Sequence, residues 1–69
     1  GVVFKKSKAV YTNFYKANLK DSDMSCIDLN NSKLVKADLT NAKFDYAILV
    51  NTDLTDAIQT DTSFIGIQP

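Results

Sequence analysis

A bulky apolar residue returns at every fifth position along most of this chain. The series runs Phe14, Leu19, Met24, Leu29, Leu34, Leu39, Phe44, Leu49 and Leu54, is interrupted by Gln59, and resumes at Phe64. Two residues ahead of each stands a small or compact side chain: Thr12, Ala17, Ser22, Ile27, Ser32, Ala37, Ala42, Ala47, Thr52, Ala57 and Thr62. Eleven five-residue units therefore follow one another from Thr12 to Gly66 without an insertion. Residues 1–11 continue the phase more loosely, with Phe4 and Ala9 at the centres and Val2 and Ser7 ahead of them.

Neither regular element can bury such a series. Five residues of α-helix rotate the chain by about 500°, so side chains five apart share no stripe. In a strand, an odd spacing sends successive side chains to opposite faces. The chain must turn once per unit and reset its inward direction each time. Asn, Asp, Ser and Thr crowd the positions between the apolar residues, and these side chains support tight turns through their own backbone hydrogen bonds. Glycine and proline stand only near the ends, at Gly1, Gly66 and Pro69.

The units Ala17-Asn18-Leu19-Lys20-Asp21, Ala37-Asp38-Leu39-Thr40-Asn41 and Thr52-Asp53-Leu54-Thr55-Asp56 resemble the pentapeptide-repeat family, whose consensus is Ala-(Asp/Asn)-Leu-X-X. The resemblance implies an all-β fold, a right-handed quadrilateral β-helix. Each unit would form one side of a square and four successive units one coil, giving a little over three coils. The domain expected is a single one over residues 1–69, with core repeats at 12–66. Residues 1–11 are expected to form a looser, frayed or solvated first coil, and 67–69 a terminating segment. Gln59 puts an amide where the pattern wants an inward apolar group, so the last coil is expected to open there.

Stacking each unit on the fourth one after it sorts the centres into four columns: Phe4/Met24/Phe44/Phe64, Ala9/Leu29/Leu49, Phe14/Leu34/Leu54 and Leu19/Leu39/Gln59. The first is mostly stacked phenylalanine. On the outside the same arithmetic places Lys33 over Asp53, Asp23 over Lys43 and Lys36 over Asp56, which predicts exposed ion pairs.

Charge and composition narrow the function classes. Eight Lys balance eight Asp, with no Arg, Glu or His. Zero net charge offers no general attraction to nucleic acid or to an anionic membrane surface. No apolar run approaches the roughly 20 residues that span a bilayer, and no segment of the chain reads as a signal peptide. The charge is nonetheless polarised along the sequence. Residues 1–43 carry all eight Lys and four Asp, while residues 44–69 carry four Asp and no Lys.

Little in the chain reads as chemistry. Without His, Glu or Arg the usual general base and oxyanion partners are missing, so no catalytic residue and no cofactor are assigned. Cys26 falls on an outward corner and reads as an ordinary thiol. The stretch Asp21-Ser22-Asp23-Met24-Ser25 starts like a calcium loop, but Cys26 stands where that loop needs Gly and Ser32 where it needs Glu. No metal site is assigned.

The departure that stands out is Tyr46-Ala47-Ile48-Leu49-Val50. Burying Ala47 and Leu49 turns Tyr46, Ile48 and Val50 outward. The four-unit stacking adds Val10 and Tyr11 to that side, with Tyr15 around the corner. Exposed apolar side chains with tyrosine mark a protein contact. β-branched residues also simply favour strands; the contact reading is preferred. No capping helix covers the coil ends, so the chain is expected to be part of a longer protein or of a larger complex. The expected role is a non-enzymatic rigid scaffold that binds protein, with no nucleic-acid partner and no membrane insertion. The family resemblance adds a preference for the thylakoid lumen of plants or cyanobacteria. It also offers two alternatives: a DNA-mimicking gyrase-binding protein, which a short neutral chain fits poorly, and an appended domain of an enzyme.

Overall fold

The structure, a computed structural model, describes residues 1–67. The chain coils, and every coil takes four five-residue units. Parallel β-bridges join Val3 to Asp23, Asp23 to Lys43 and Lys43 to Ser63 on face 1. Lys8, Asp28 and Ile48 are joined in the same way on face 2, Asn13, Lys33 and Asp53 on face 3, and Asn18, Asp38 and Ile58 on face 4. Four series of bridges, each stepping up by one full coil, make a four-sided β-helix. The body measures 20 × 19 × 18 Å.

Corners are built by a repeated backbone device. In most units the carbonyl of the central residue accepts from the N–H three residues on, as in Ala37 to Leu34 at 3.0 Å and Ala42 to Leu39 at 2.9 Å; at Ala9 and Thr12 the Ser32 hydroxyl bridges the two groups instead. The residue before that donor lies in the left-handed region: twelve non-glycine residues, from Lys6 to Asp61, have φ between 54° and 61°, and Gly66 has 68°. A positive φ at the third residue of a hydrogen-bonded four-residue turn is the type II geometry. Half of the twelve corners are Asn or Asp, the side chains that tolerate this region best. The others, Lys6, Tyr11, Lys16, Cys26, Lys36 and Tyr46, are held there by the coil above, to which each corner N–H donates.

The polar residue between the two inward positions fixes the same turn. Its Oδ1 accepts from the N–H two residues on at Asn13 (Tyr15, 2.9 Å), Asn18 (Lys20, 3.2 Å), Asp38 (Thr40, 3.1 Å) and Asp53 (Thr55, 2.9 Å). Asp23 and Asp28 do likewise. This is the physical content of Asp or Asn before the leucine: a local bond that pre-forms the bend.

Between coils the bonds are regular. The central and corner N–H groups donate to the coil above, as Leu34 to Asp53 (2.7 Å) and Lys36 to Thr55 (2.9 Å); the bridging N–H donates to the coil below, as Lys33 to Thr12 (2.9 Å). Small hydroxyls inside join in. Thr52 donates to the Leu29 carbonyl at 2.8 Å and Thr62 to that of Leu39 at 2.7 Å. Ser32 donates to the Ala9 carbonyl and accepts from the Thr12 N–H.

The core is fully enclosed only in the middle. Met24, Ile27, Leu29, Leu34, Leu39 and Phe44 have no exposed surface, whereas Phe4, Ala9, Phe14, Leu49, Leu54 and Phe64 are only partly covered. Phe44 and Phe64 stack with centroids 5.5 Å apart at 21°, and Phe4 meets Phe14 edge-on across the first coil.

Residues 1–11 keep the register of the rest. Val3 and Lys8 make their bridges, and the first turn closes between Ser7 N–H and Phe4 O at 3.0 Å. Looseness there is confined to burial, because no coil of the described residues lies beneath them. Gln59 does not open the last coil. Its side chain is exposed, yet Leu39 N–H still donates to Ile58 O and Asn41 N–H to Thr60 O. At the rim an amide can turn to water without disturbing the backbone. Of the terminating segment, Ile67 packs against the core; Gln68 and Pro69 lie outside the described residues.

Truncation should register burial directly. Leu34→Ala is expected to lower unfolding stability by about 2–5 kcal/mol, and Leu54→Ala by clearly less; urea midpoints decide. At a corner, Asn41→Val should cost about 1–2 kcal/mol, while Asn41→Gly should not destabilise. Equal effects of the two corner variants would contradict the left-handed geometry.

Candidate interaction surface

Face 2 carries Val10, Ile48 and Val50. Val10, Val50 and Ile48 all reach the surface, the valines as exposed side chains and Ile48 half-buried. Val10 and Val50 occupy the same outer column two coils apart, about 10 Å at sheet spacing, with Asn30 between them. Ile48 sits directly above Asp28, its bridge partner. The apolar residues thus form two rungs flanking a polar one made of Asp28, Asn30 and Asn31. The Asn30 N–H donates to Asp28 Oδ1, while its own amide oxygen is enclosed without a hydrogen-bond partner among the described residues.

The three tyrosines differ in how free they are. Tyr11, on the corner after Val10, is 79% exposed. Tyr15 lies on face 3, and the Lys16 ammonium sits 5.3 Å from its ring centroid, a cation–π contact. Tyr46, on the corner between faces 1 and 2, lays its ring against Gly66 of the next coil. A Cβ built at Gly66 would fall 2.5 Å from two ring carbons, so only glycine fits against the ring as it stands.

Tyr46 has a structural partner beside it. Asp45 Oδ1 accepts from the Ser63 hydroxyl and, at 3.0 Å, from the Ile65 N–H. Asp45 and Tyr46 together fasten residues 63–66 to the coil below. The five-residue pattern did not single out Asp45, since its position is an ordinary outward one; the signal was Gly66 standing one full coil after a tyrosine. Other exposed apolar residues that the pattern passed over are Val3, Ile58 and Ile65. Val3 and Ile65 lie on face 1 and Ile58 on face 4, away from the Val10–Val50 column.

The outer carboxylates are turned toward their own chain. The predicted stacking of Asp23 with Lys43 and of Lys33 with Asp53 is present in the backbone bridges. The carboxylates, however, take the hydroxyls and N–H groups two residues on: Thr40 to Asp38 at 2.6 Å, Thr55 to Asp53 at 2.5 Å. These hydroxyl bonds are the main reason the carboxyls of Asp23, Asp38 and Asp53 lie below the ordinary carboxylate value. The N–H bonds add to them, slight desolvation opposes, and nearby lysine charges contribute least. A local bond of fixed geometry outweighs a screened charge on a mobile stem. Asp21 and Cys26 stand on exposed corners, and Asp23 is engaged with Ser25.

Comparison with known proteins bears on the whole coil. The pentapeptide-repeat family model matches in eight copies, over residues 1–34 and 22–58. The chain belongs to the pentapeptide-repeat family. Proteins of this family are generally interaction or scaffold modules. Among solved structures, the pentapeptide-repeat protein Rfr23 from the cyanobacterium Cyanothece 51142 is similar in fold, with a TM-score of 0.94 at 24% identity. The match covers 96% of this chain and 45% of that one, so the chain spans less than half the length of Rfr23. No curated protein matches the sequence.

The carboxylate bonds set an acid limit. Folded carboxyls with lowered pKa bind protons more weakly than unfolded ones, whose value is about 3.9. Their contribution to stability is fully present above that value and is lost as pH falls through the depressed ones. Urea midpoints should therefore stay level from about pH 7 to about pH 5 and decline below about pH 4. Replacing Thr40→Ala and Thr55→Ala together should flatten the decline.

Proposed function

We propose that this chain is a rigid, non-catalytic interaction module that binds protein through face 2. It would do so as a right-handed four-sided coil of slightly over three turns, held within a larger protein or assembly. What carries the reading is the exposure of Val10, Tyr11 and Val50 on a face whose backbone is fixed by the ladder. Apolar and tyrosine side chains are what protein contacts enrich. A scaffold already ordered loses little entropy on binding, so a few such groups count for more than they would on a mobile loop.

The polar rung between the apolar ones adds a condition on the partner. Asp28 and Asn31 must stay solvated or be matched by donors, so the partner should present apolar groups about 10 Å apart with polar atoms between. Tyr15 and Tyr46 are the outlying members of the surface, since Lys16 and Gly66 already occupy one side of each ring.

The test is co-purification from the native source with the unaltered chain and with Ile48→Lys plus Val50→Lys. A specific protein partner should be lost or weakened at least about tenfold, as when central interface groups are removed. Lys36→Asp, on a different corner, should leave it in place. Retention of every association by the double lysine variant would exclude face 2 as the contact.

A further inference from the structure

The outward side chains of face 2 form two columns along the coil axis, Lys8, Asp28 and Ile48 in one and Val10, Asn30 and Val50 in the other. Between the columns the central residues Ala9, Leu29 and Leu49 pack inward. The rungs are pinned to one another: Ala9 N–H donates to the Asp28 carbonyl at 2.7 Å, and Leu29 N–H to that of Ile48 at 2.9 Å. Val10 and Val50 are therefore held two rungs apart, about 10 Å.

That distance selects among backbones that could lie along the column. Seven residues of α-helix rise about 10.5 Å and fall only about 20° short of two full turns, so residues i and i+7 share a face. In an extended strand laid the same way, residues on one side follow at about 7 Å or about 14 Å, and neither matches. A partner sheet with its strands along the rungs would match the spacing, but sheets pack by broad faces. Here Lys8 and Asp28 occupy the column on one side of the valines, and Asn31 and Asn51 the corner on the other. The apolar residues make a line rather than a field.

The middle rung sets the charge. Asp28 is half-buried and uses one oxygen to accept from the Asn30 N–H at 3.1 Å. A carboxylate has about four acceptor positions, so Asp28 has capacity for a donor from outside. A helix with apolar residues at Val10 and Val50 brings its position i+3 or i+4 to the middle rung, about 5 Å along the axis. A lysine or arginine there supplies both the donor and the opposite charge. Lys8, one rung lower in the same column, asks for an acidic or uncharged residue beside the apolar group that meets Val10. We propose that face 2 receives an amphipathic α-helix of a partner protein, laid along the coil axis, with apolar residues at i and i+7 and a basic residue at i+3 or i+4. The proposal rests on face 2 being the contact surface.

Photo-crosslinking in the native source tests it, with Val10→p-benzoylphenylalanine in one variant and Val50→p-benzoylphenylalanine in another. Both sites are exposed, so the coil accommodates the larger side chain. Mass spectrometry should find both attached to one segment of one partner, at points about seven residues apart. Asp28→Asn removes the charge and keeps the turn, since Asn13 and Asn18 make the same bond at their own positions. It should weaken association about tenfold, the loss expected when a hydrogen bond to a charged group is removed. Attachment points two to four residues apart, or in separate segments, would overturn the helix and leave the face-2 contact standing. Association unchanged by Asp28→Asn would overturn the basic residue at mid-helix. No attachment from either position would overturn face 2 as the contact, and the helix with it.

Discussion

The hydrogen bonds between stacked coils are what the rest of this structure depends on. Each unit is too short to bury anything alone, and each corner asks a residue to enter the left-handed region. The bonds to the coils above and below make that tolerable, since moving one corner would break donors and acceptors on both sides. Because the ladder repeats, inward side chains stack in columns. The interior is then filled by Leu over Leu and Phe over Phe, as in the 5.5 Å contact of Phe44 with Phe64.

The recurrence of a large residue every fifth position was legible in the sequence because size reports inwardness, and a chain that sends every fifth side chain inward has to bend between them. The four-unit register came with the family resemblance, and the bridges from Val3 to Ser63 agree with it. Other features left little trace. Six corners are Lys, Tyr or Cys, and nothing in those residue types announces a positive φ. The carboxylate contacts were read as ion pairs because stacking brings Lys and Asp together. The hydroxyl two residues on is nearer and better aimed, and Thr40 and Thr55 take the bonds. Gln59 suggested an opened coil, since the column rule does not distinguish a rim from an interior.

The surface was legible in part. Outward residues follow from the inward ones by elimination, and so Val10, Ile48 and Val50 share a face. The freedom of each group depends on neighbours that spacing does not reveal: Lys16 beside Tyr15, Gly66 against Tyr46, Asn30 between the valines. Asp45 is the clearest omission. Its carboxylate looks like any solvated charge in the sequence, yet it ties the start of the fourth coil to the third.

The square cross-section also constrains how such a chain can change length. Removing or adding one five-residue unit preserves every corner and every inward position, so the fold survives. Everything downstream, however, is carried round by a quarter turn. Val50 would leave the column of Val10, and Tyr46 would lose its place against Gly66 if the change fell between them. Only a change of four units together restores each face to its own side. Gene-level gain and loss of repeats can thus alter height freely, while a composite face shared by several coils keeps its members only in steps of a whole coil.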